Sequence, residues 1–149
     1  SREQTFSLPE NLWIIGTMNT ADRSIALLDS ALRRRFYFVP FFPDEAPVST
    51  LLRKWLNENK PDYGWLADVF DRANFLIGDR HNAIGPSYFM DKDLDDEWIS
   101  TIWQHAIMPY LEEFYYDQKD ALEQFSLDSL KKHVEQKDDP AIDEANSPD

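Results

Sequence analysis

Two short apolar runs, Leu12-Trp13-Ile14-Ile15-Gly16-Thr17 and Phe36-Tyr37-Phe38-Val39, flank a polar stretch that opens with Asn19 and closes with Arg33, Arg34 and Arg35. Their β-branched and aromatic members read as strands buried on both faces, and Pro40 stops the second. Between them, Asp22 or Ser24 can cap a helix whose apolar residues Ile25, Leu28 and Leu32 recur at helical spacing, with Ala31 beside them. Strand, polar loop, helix and strand make an α/β unit. In open α/β sheets a ligand sits beyond the carboxyl ends of the strands, and Asn19 and Asp22 fall at that end.

Helix geometry sorts the charges of this unit. Asp29 and Arg33 are four apart and can pair along the helix surface. At about 100° per residue, Arg34 lies opposite the centre of Ile25, Leu28 and Leu32, so it points away from its own core. Arg35 either completes the helix end, where the dipole favours a cation, or approaches phosphate. Arg23 reads as a surface or interface residue, and Asp22 as a cap or as a group ordering a neighbouring arginine.

After Pro43 the strand pattern gives way to helical periodicity, which places a boundary near residues 44–47. Val48, Leu51, Leu52, Trp55 and Leu56 mark one face of a helix that Pro61 ends. A second helix runs from about Tyr63 to Ile77, with Leu66, Val69, Phe70 and Ala73 inward and Gly78 as its stop. An irregular link follows to Met90. Leu94, Trp98, Ile102 and Ala106 then define a third helix, which Pro109 kinks or restarts before Leu111, Phe114 and Tyr115. A last amphipathic stretch carries Ala121, Leu122, Phe125, Leu130 and Val134. Residues 136–149 are acidic, poor in apolar side chains, and expected to be disordered. The expected fold is thus α+β and mostly helical, with residues 1–44 a partial α/β piece and 45–135 an all-helical lobe.

Composition bounds the function. A net charge of −13 argues against a nucleic-acid-gripping surface, which needs clustered Lys and Arg. No apolar run approaches the roughly 20 residues that span a bilayer, and no signal peptide heads the chain, which favours the cytoplasm. With no cysteine there is neither a disulfide nor a thiolate metal site. His81, His105 and His133 lie far apart without metal-ligand spacing. Tyr88, Phe89, Trp55, Trp65, Trp98 and Trp103 read as core residues of the helical lobe.

The run WIIGTMNTADRSIALLDSALRRRF resembles the sensor-1 strand, following helix and arginine-finger segment of AAA+ proteins, and most nearly those of the McrB family. The resemblance continues through Gly85-Pro86-Ser87-Tyr88-Phe89-Met90 and Ile107-Met108-Pro109-Tyr110-Leu111-Glu112-Glu113-Phe114-Tyr115-Tyr116, and covers roughly residues 8 to 131. It implies the C-terminal part of a GTP- or ATP-hydrolysing module that uses Mg2+, with a helical lid over the nucleotide. Asn19 takes the sensor-1 place, where an uncharged amide holds the attacking water. Arg34, with Arg35, takes the finger place, and Asp22 and Arg23 lie at the subunit interface or order the finger.

The sequence departs from the family pattern at Pro86, where His is usual, and at Ala83, where some members carry a sensor-2 arginine. Arg80 and His81 can substitute there if the loop brings them round. No G-x-x-x-x-G-K-[ST] loop and no apolar strand ending in Asp-Glu occurs, so the chain alone is expected to bind and hydrolyse no nucleotide. The family implies a homo-oligomeric ring, most often hexameric, a nuclease subunit of the McrC type, and DNA contact through other domains. Asn19-Thr20-Ala21-Asp22 also resembles the guanine-reading N-K-x-D motif, but Thr20 replaces its Lys, so the base stays open. A helical protein-interaction module and a MoxR-like chaperone ATPase are the alternatives. Finally, the sensor-1 strand and the strand after the finger are separated in AAA+ sheets by the phosphate-loop strand. Without that neighbour, residues 13–42 are expected to be rearranged, loosely ordered or paired with another chain.

Overall fold

Helix α2 (Trp65–Ile77) is the element on which the helical part of the chain is assembled. Leu66, Val69, Phe70, Ala73 and Ile77 recur at three- and four-residue spacing and are all buried. Gly78 ends the helix in the left-handed region, with φ of 65° and its N–H bonded to the Asn74 carbonyl, a conformation that costs glycine little and other residues more. The computed structural model describes residues 8–18, 34–116 and 119–137. The chain divides into two compact units, Ser1–Tyr37 and Phe38–Asp149.

In the second unit, a 3₁₀ turn at Val48–Thr50 leads into α1 (Leu51–Asn59). Leu52 and Leu56, four apart, are its buried pair. Lys60 leaves helical geometry just before Pro61, whose ring disfavours the α region in the residue ahead of it. Arg53 of α1 reaches α2, with 2.8 Å to Asp68 and 3.1 Å to Asp71. Its hydrogen bond to Asp68 raises the guanidinium pKa, although these exposed pairs add little to stability.

The third helical segment is interrupted rather than regular. Asp95 caps α3 (Asp96–Ile102) by accepting the Trp98 N–H at 2.7 Å. A π turn at Trp103–Ile107 then leads into α4 (Met108–Phe114). The wide turn has a physical cause in Pro109, which lacks an N–H and whose ring would press on the His105 carbonyl four residues back. The Met108 N–H accordingly reaches back five residues to the Trp103 carbonyl. Short α5 (Lys119–Leu122), a 3₁₀ turn at Glu123–Phe125 and α6 (Leu127–Lys137) complete the unit, with α6 packed on α2. The indole of Trp103 donates to the Phe125 carbonyl at 2.9 Å, tying the π turn to the start of this last piece. One apolar cluster runs through all of these elements and includes Phe89, Ile99, Ile107, Leu111, Phe125 and Leu130.

Three expectations are corrected. The described residues form no strand, so the two-stranded α/β piece is absent from them and the fold they show is helical. Residues 12–17 and 36–39 carry no ladder, and their side chains face solvent: Trp13 is 87% exposed, Ile15 91% and Tyr37 102%. Apolar sequence gives a strand only where another backbone takes up its N–H and C=O groups. In the first unit, the described residues show turns alone, one in which the Leu12 N–H meets the Pro9 carbonyl at 3.3 Å and one at Arg34 and Arg35. Second, Trp98 and Tyr88 are exposed, not core, and Ile99 takes the inward place expected of Trp98. Third, Leu94 is buried but precedes the helix it was expected to begin.

Candidate functional site

The loop after Gly78 is the most organised irregular segment among the described residues. Asp79 starts it by accepting the His81 N–H at 2.9 Å and the Asn82 side-chain amide at 2.6 Å. Those two bonds, the backbone N–H first, hold its carboxyl below the usual carboxylate range. The side chain of Asn74, one turn before the helix end, then grips Ile84 at both backbone groups. It accepts the Ile84 N–H at 2.7 Å and donates to the Ile84 carbonyl at 3.1 Å. The phenol of Tyr110 donates to the Asn82 carbonyl at 2.7 Å. Burial raises the pKa of that phenol, which keeps it a donor.

The same loop carries Gly85-Pro86-Ser87-Tyr88-Phe89. Pro86 begins a 3₁₀ turn, Pro86–Phe89, that sends Phe89 into the core, where its ring stacks on Trp103 with centroids 6.0 Å apart. Tyr88 faces out. This motif is therefore built as a plug with one buried and one solvent-facing aromatic ring.

Arg80 projects from the loop to the segment that leads into α1. Its guanidinium lies 2.7 Å from Asp44 and 2.7 Å from Glu45, and 4.4 Å above the ring of Phe42. The edge of His81 meets the same ring at a centroid distance of 5.2 Å. Bonding to Asp44 and then Glu45 raises the Arg80 pKa, and Arg80 lowers that of Asp44. The loop does bring Arg80 round, but onto two carboxylates.

The finger candidates Arg34 and Arg35 are described and exposed, in a turn. Asn19, Asp22 and Arg23, the Ile25-Leu28-Leu32 helix, the Asp29–Arg33 pair and residues 138–149 lie outside the described residues. What the structure brings together is Arg80, His81, Phe42, Asp44 and Glu45. Of these, sequence reasoning singled out only Arg80 and His81. Its one usable hint for the rest was the adjacent acid pair Asp44-Glu45 ahead of the first helix. Among the described residues no group of His, Asp or Glu is arranged to hold a metal ion, and no helix is long and apolar enough to cross a membrane.

Residues 65–123 match the family model described as McrB, alpha-helical lid domain. The chain carries a lid of the McrB family. It is also 35% identical over 130 residues to the type IV methyl-directed restriction enzyme EcoKMcrB subunit of Escherichia coli strain K12, across 77% of this chain. That alignment takes in 28% of the relative, so the chain spans under a third of its length. No solved structure matches. The McrB lid match begins at the first residue of α2 and ends within the Glu123–Phe125 turn, so the Asn74, Asp79 and Arg80 contacts all originate inside it.

Proposed function

We propose that this chain is the C-terminal part of an AAA+ nucleotide triphosphatase of a restriction system, supplying a sensor-1 residue, an arginine finger and the lid. The observation that carries this reading is that the McrB lid match and the identity to a restriction-enzyme subunit fall on a chain that also holds a run resembling a sensor-1 and finger segment. The parent takes GTP or ATP with Mg2+, forms a homo-oligomeric ring, hexameric in the family pattern, works with a nuclease subunit of the McrC type, and meets DNA through other domains.

The chemistry assigned to each residue follows from its type. Asn19 orients the attacking water by hydrogen bonds without adding negative charge beside the γ-phosphate. Arg34 reaches the neighbouring subunit's nucleotide, where a fixed positive charge with forked donors stabilises the oxygens that gain charge in the transition state. Arg35 supports the same phosphates, and Asp22 and Arg23 hold the finger at the interface. The lid excludes water from the closed site.

The test uses the full-length subunit. Asn19→Ala is expected to lower turnover while leaving nucleotide affinity nearly intact, since water positioning acts in the transition state. Arg34→Ala is expected to reduce turnover by on the order of 10³-fold, with Arg34→Lys nearly as inactive. Rings mixing Arg34→Ala subunits with subunits disabled in their phosphate loop should regain some hydrolysis. Confirmed mixed rings without any recovery would refute the finger role.

A further inference from the structure

We propose that Arg80 is a reversible latch that clasps the segment leading into the lid, residues 42–45, against the rigid 79–84 loop. The two sides of the contact differ in how firmly they are held. On the loop side, Asp79 fixes His81 and Asn82, Tyr110 fixes Asn82, and Asn74 fixes Ile84, which is itself buried. The base of Arg80 is thus anchored from three directions. On the other side, residues 42–45 form one turn, closed by the Glu45 N–H on the Phe42 carbonyl at 3.1 Å, and the Ser49 N–H meets the Glu45 carbonyl at 2.9 Å. Across from that turn stand the guanidinium and the His81 ring edge. When Arg80 lets go, the segment moves and the loop stays.

The latch is built to open. Arg80, Asp44 and Glu45 keep 40%, 59% and 49% of their side-chain surface in solvent, so water and salt compete for every charge. Three features make it specific to arginine. The planar fork serves two carboxylates at once, the flat face covers Phe42, and the charge persists at any working pH. A lysine keeps the charge and loses the fork and the stacking. The segment therefore has a clasped and a free state, whose balance ionic strength or a competing group can shift. This inference concerns the lid and its approach alone and holds whether or not the parent hydrolyses nucleotide.

Residue-resolved hydrogen exchange on the full chain tests it. Arg80→Ala is expected to speed exchange at the Glu45 and Ser49 amides by roughly two- to fivefold, while Val69 and Phe70 of α2 are unaffected. Asp44→Asn with Glu45→Gln should give most of that increase, and adding Arg80→Ala to that pair should add only the smaller step left to the Phe42 contact, well short of the sum of the separate effects. Arg80→Lys should fall between wild type and Arg80→Ala. At about 1 M salt the wild type should approach the variants. Unchanged exchange at Glu45 and Ser49 in Arg80→Ala would overturn the latch. So would an increase spread evenly over α2, or additive effects of the Arg80 and carboxylate changes.

Discussion

Residues 12–17 and the helix α2 are both apolar, yet the first stays in solvent and the second is buried along one whole face. The difference lies in where each finds partners for its backbone. A helix bonds its own N–H and C=O groups within the segment and then needs only one surface to cover its apolar stripe. A strand can satisfy those groups only through another strand. Leu66, Val69, Phe70 and Ala73 share one apolar cluster with Phe89, and their helix packs on α6. Trp13 and Ile15 have side chains at least as apolar, but no ladder forms beneath them among the described residues. Hydrophobicity decides which face is turned inward only after the backbone has been provided for.

The sharpest way to break this contrast is to cut the helical unit where the family match ends. Residues 65–123 alone would lack Leu52 and Leu56 on one side and Phe125 and Leu130 on the other, each at most 3% exposed. A fully buried side chain of this kind is worth roughly 1.5–3 kcal/mol, and a small domain's whole stability is only about 5–15 kcal/mol. That fragment is expected to show no cooperative thermal transition by circular dichroism, whereas residues 38–137 should melt in one step. A cooperative melt of the shorter piece would mean that the outer helices decorate a core that stands without them.

Single substitutions sharpen the comparison. Phe125→Ala empties a site at 0% exposure and should cost about 3–5 kcal/mol in urea unfolding. Trp13→Ala, which removes a larger but exposed ring, should stay within about 0.5 kcal/mol. Comparable losses would show that residues 12–17 belong to the folding unit after all. Between these two falls Asn74→Ala, which leaves the N–H and C=O of buried Ile84 without the side chain that binds both. It should cost about 1–3 kcal/mol. Exchange should rise first at the Ile84 amide, ahead of α2, in the same measurement.

What the sequence disclosed follows from the range over which each signal acts. The inward face of α2 and its Gly78 stop are local, set by spacing and by one residue's freedom at φ of 65°, and both were legible. The Leu94-Trp98-Ile102 series was misleading because it crosses a helix start. Asp95 caps the helix, Leu94 lies outside it, and the inward face runs through Ile99, Ile102 and Trp103, leaving Trp98 outward. Arg80 could be named as a charge near the lid motif, but its partners Asp44 and Glu45 are 36 and 35 residues away, and no periodicity encodes such a pairing. Of the functional candidates, Arg34 and Arg35 are exposed, while Asn19, Asp22 and Arg23 lie outside the described residues.

The bond from the Trp103 indole to the Phe125 carbonyl also gives the lid an optical reporter. Trp103 is 2% exposed and hydrogen-bonded to backbone, while Trp13 and Trp98 face water. A dehydrated indole emits at shorter wavelength than a hydrated one, so Trp103 supplies the bluest component, ahead of the half-buried Trp55 and Trp65. Any event that lifts the last helical piece from the π turn wets that ring and breaks its bond together. The colour of the emitted light then follows the seating of residues 123–137 without a label.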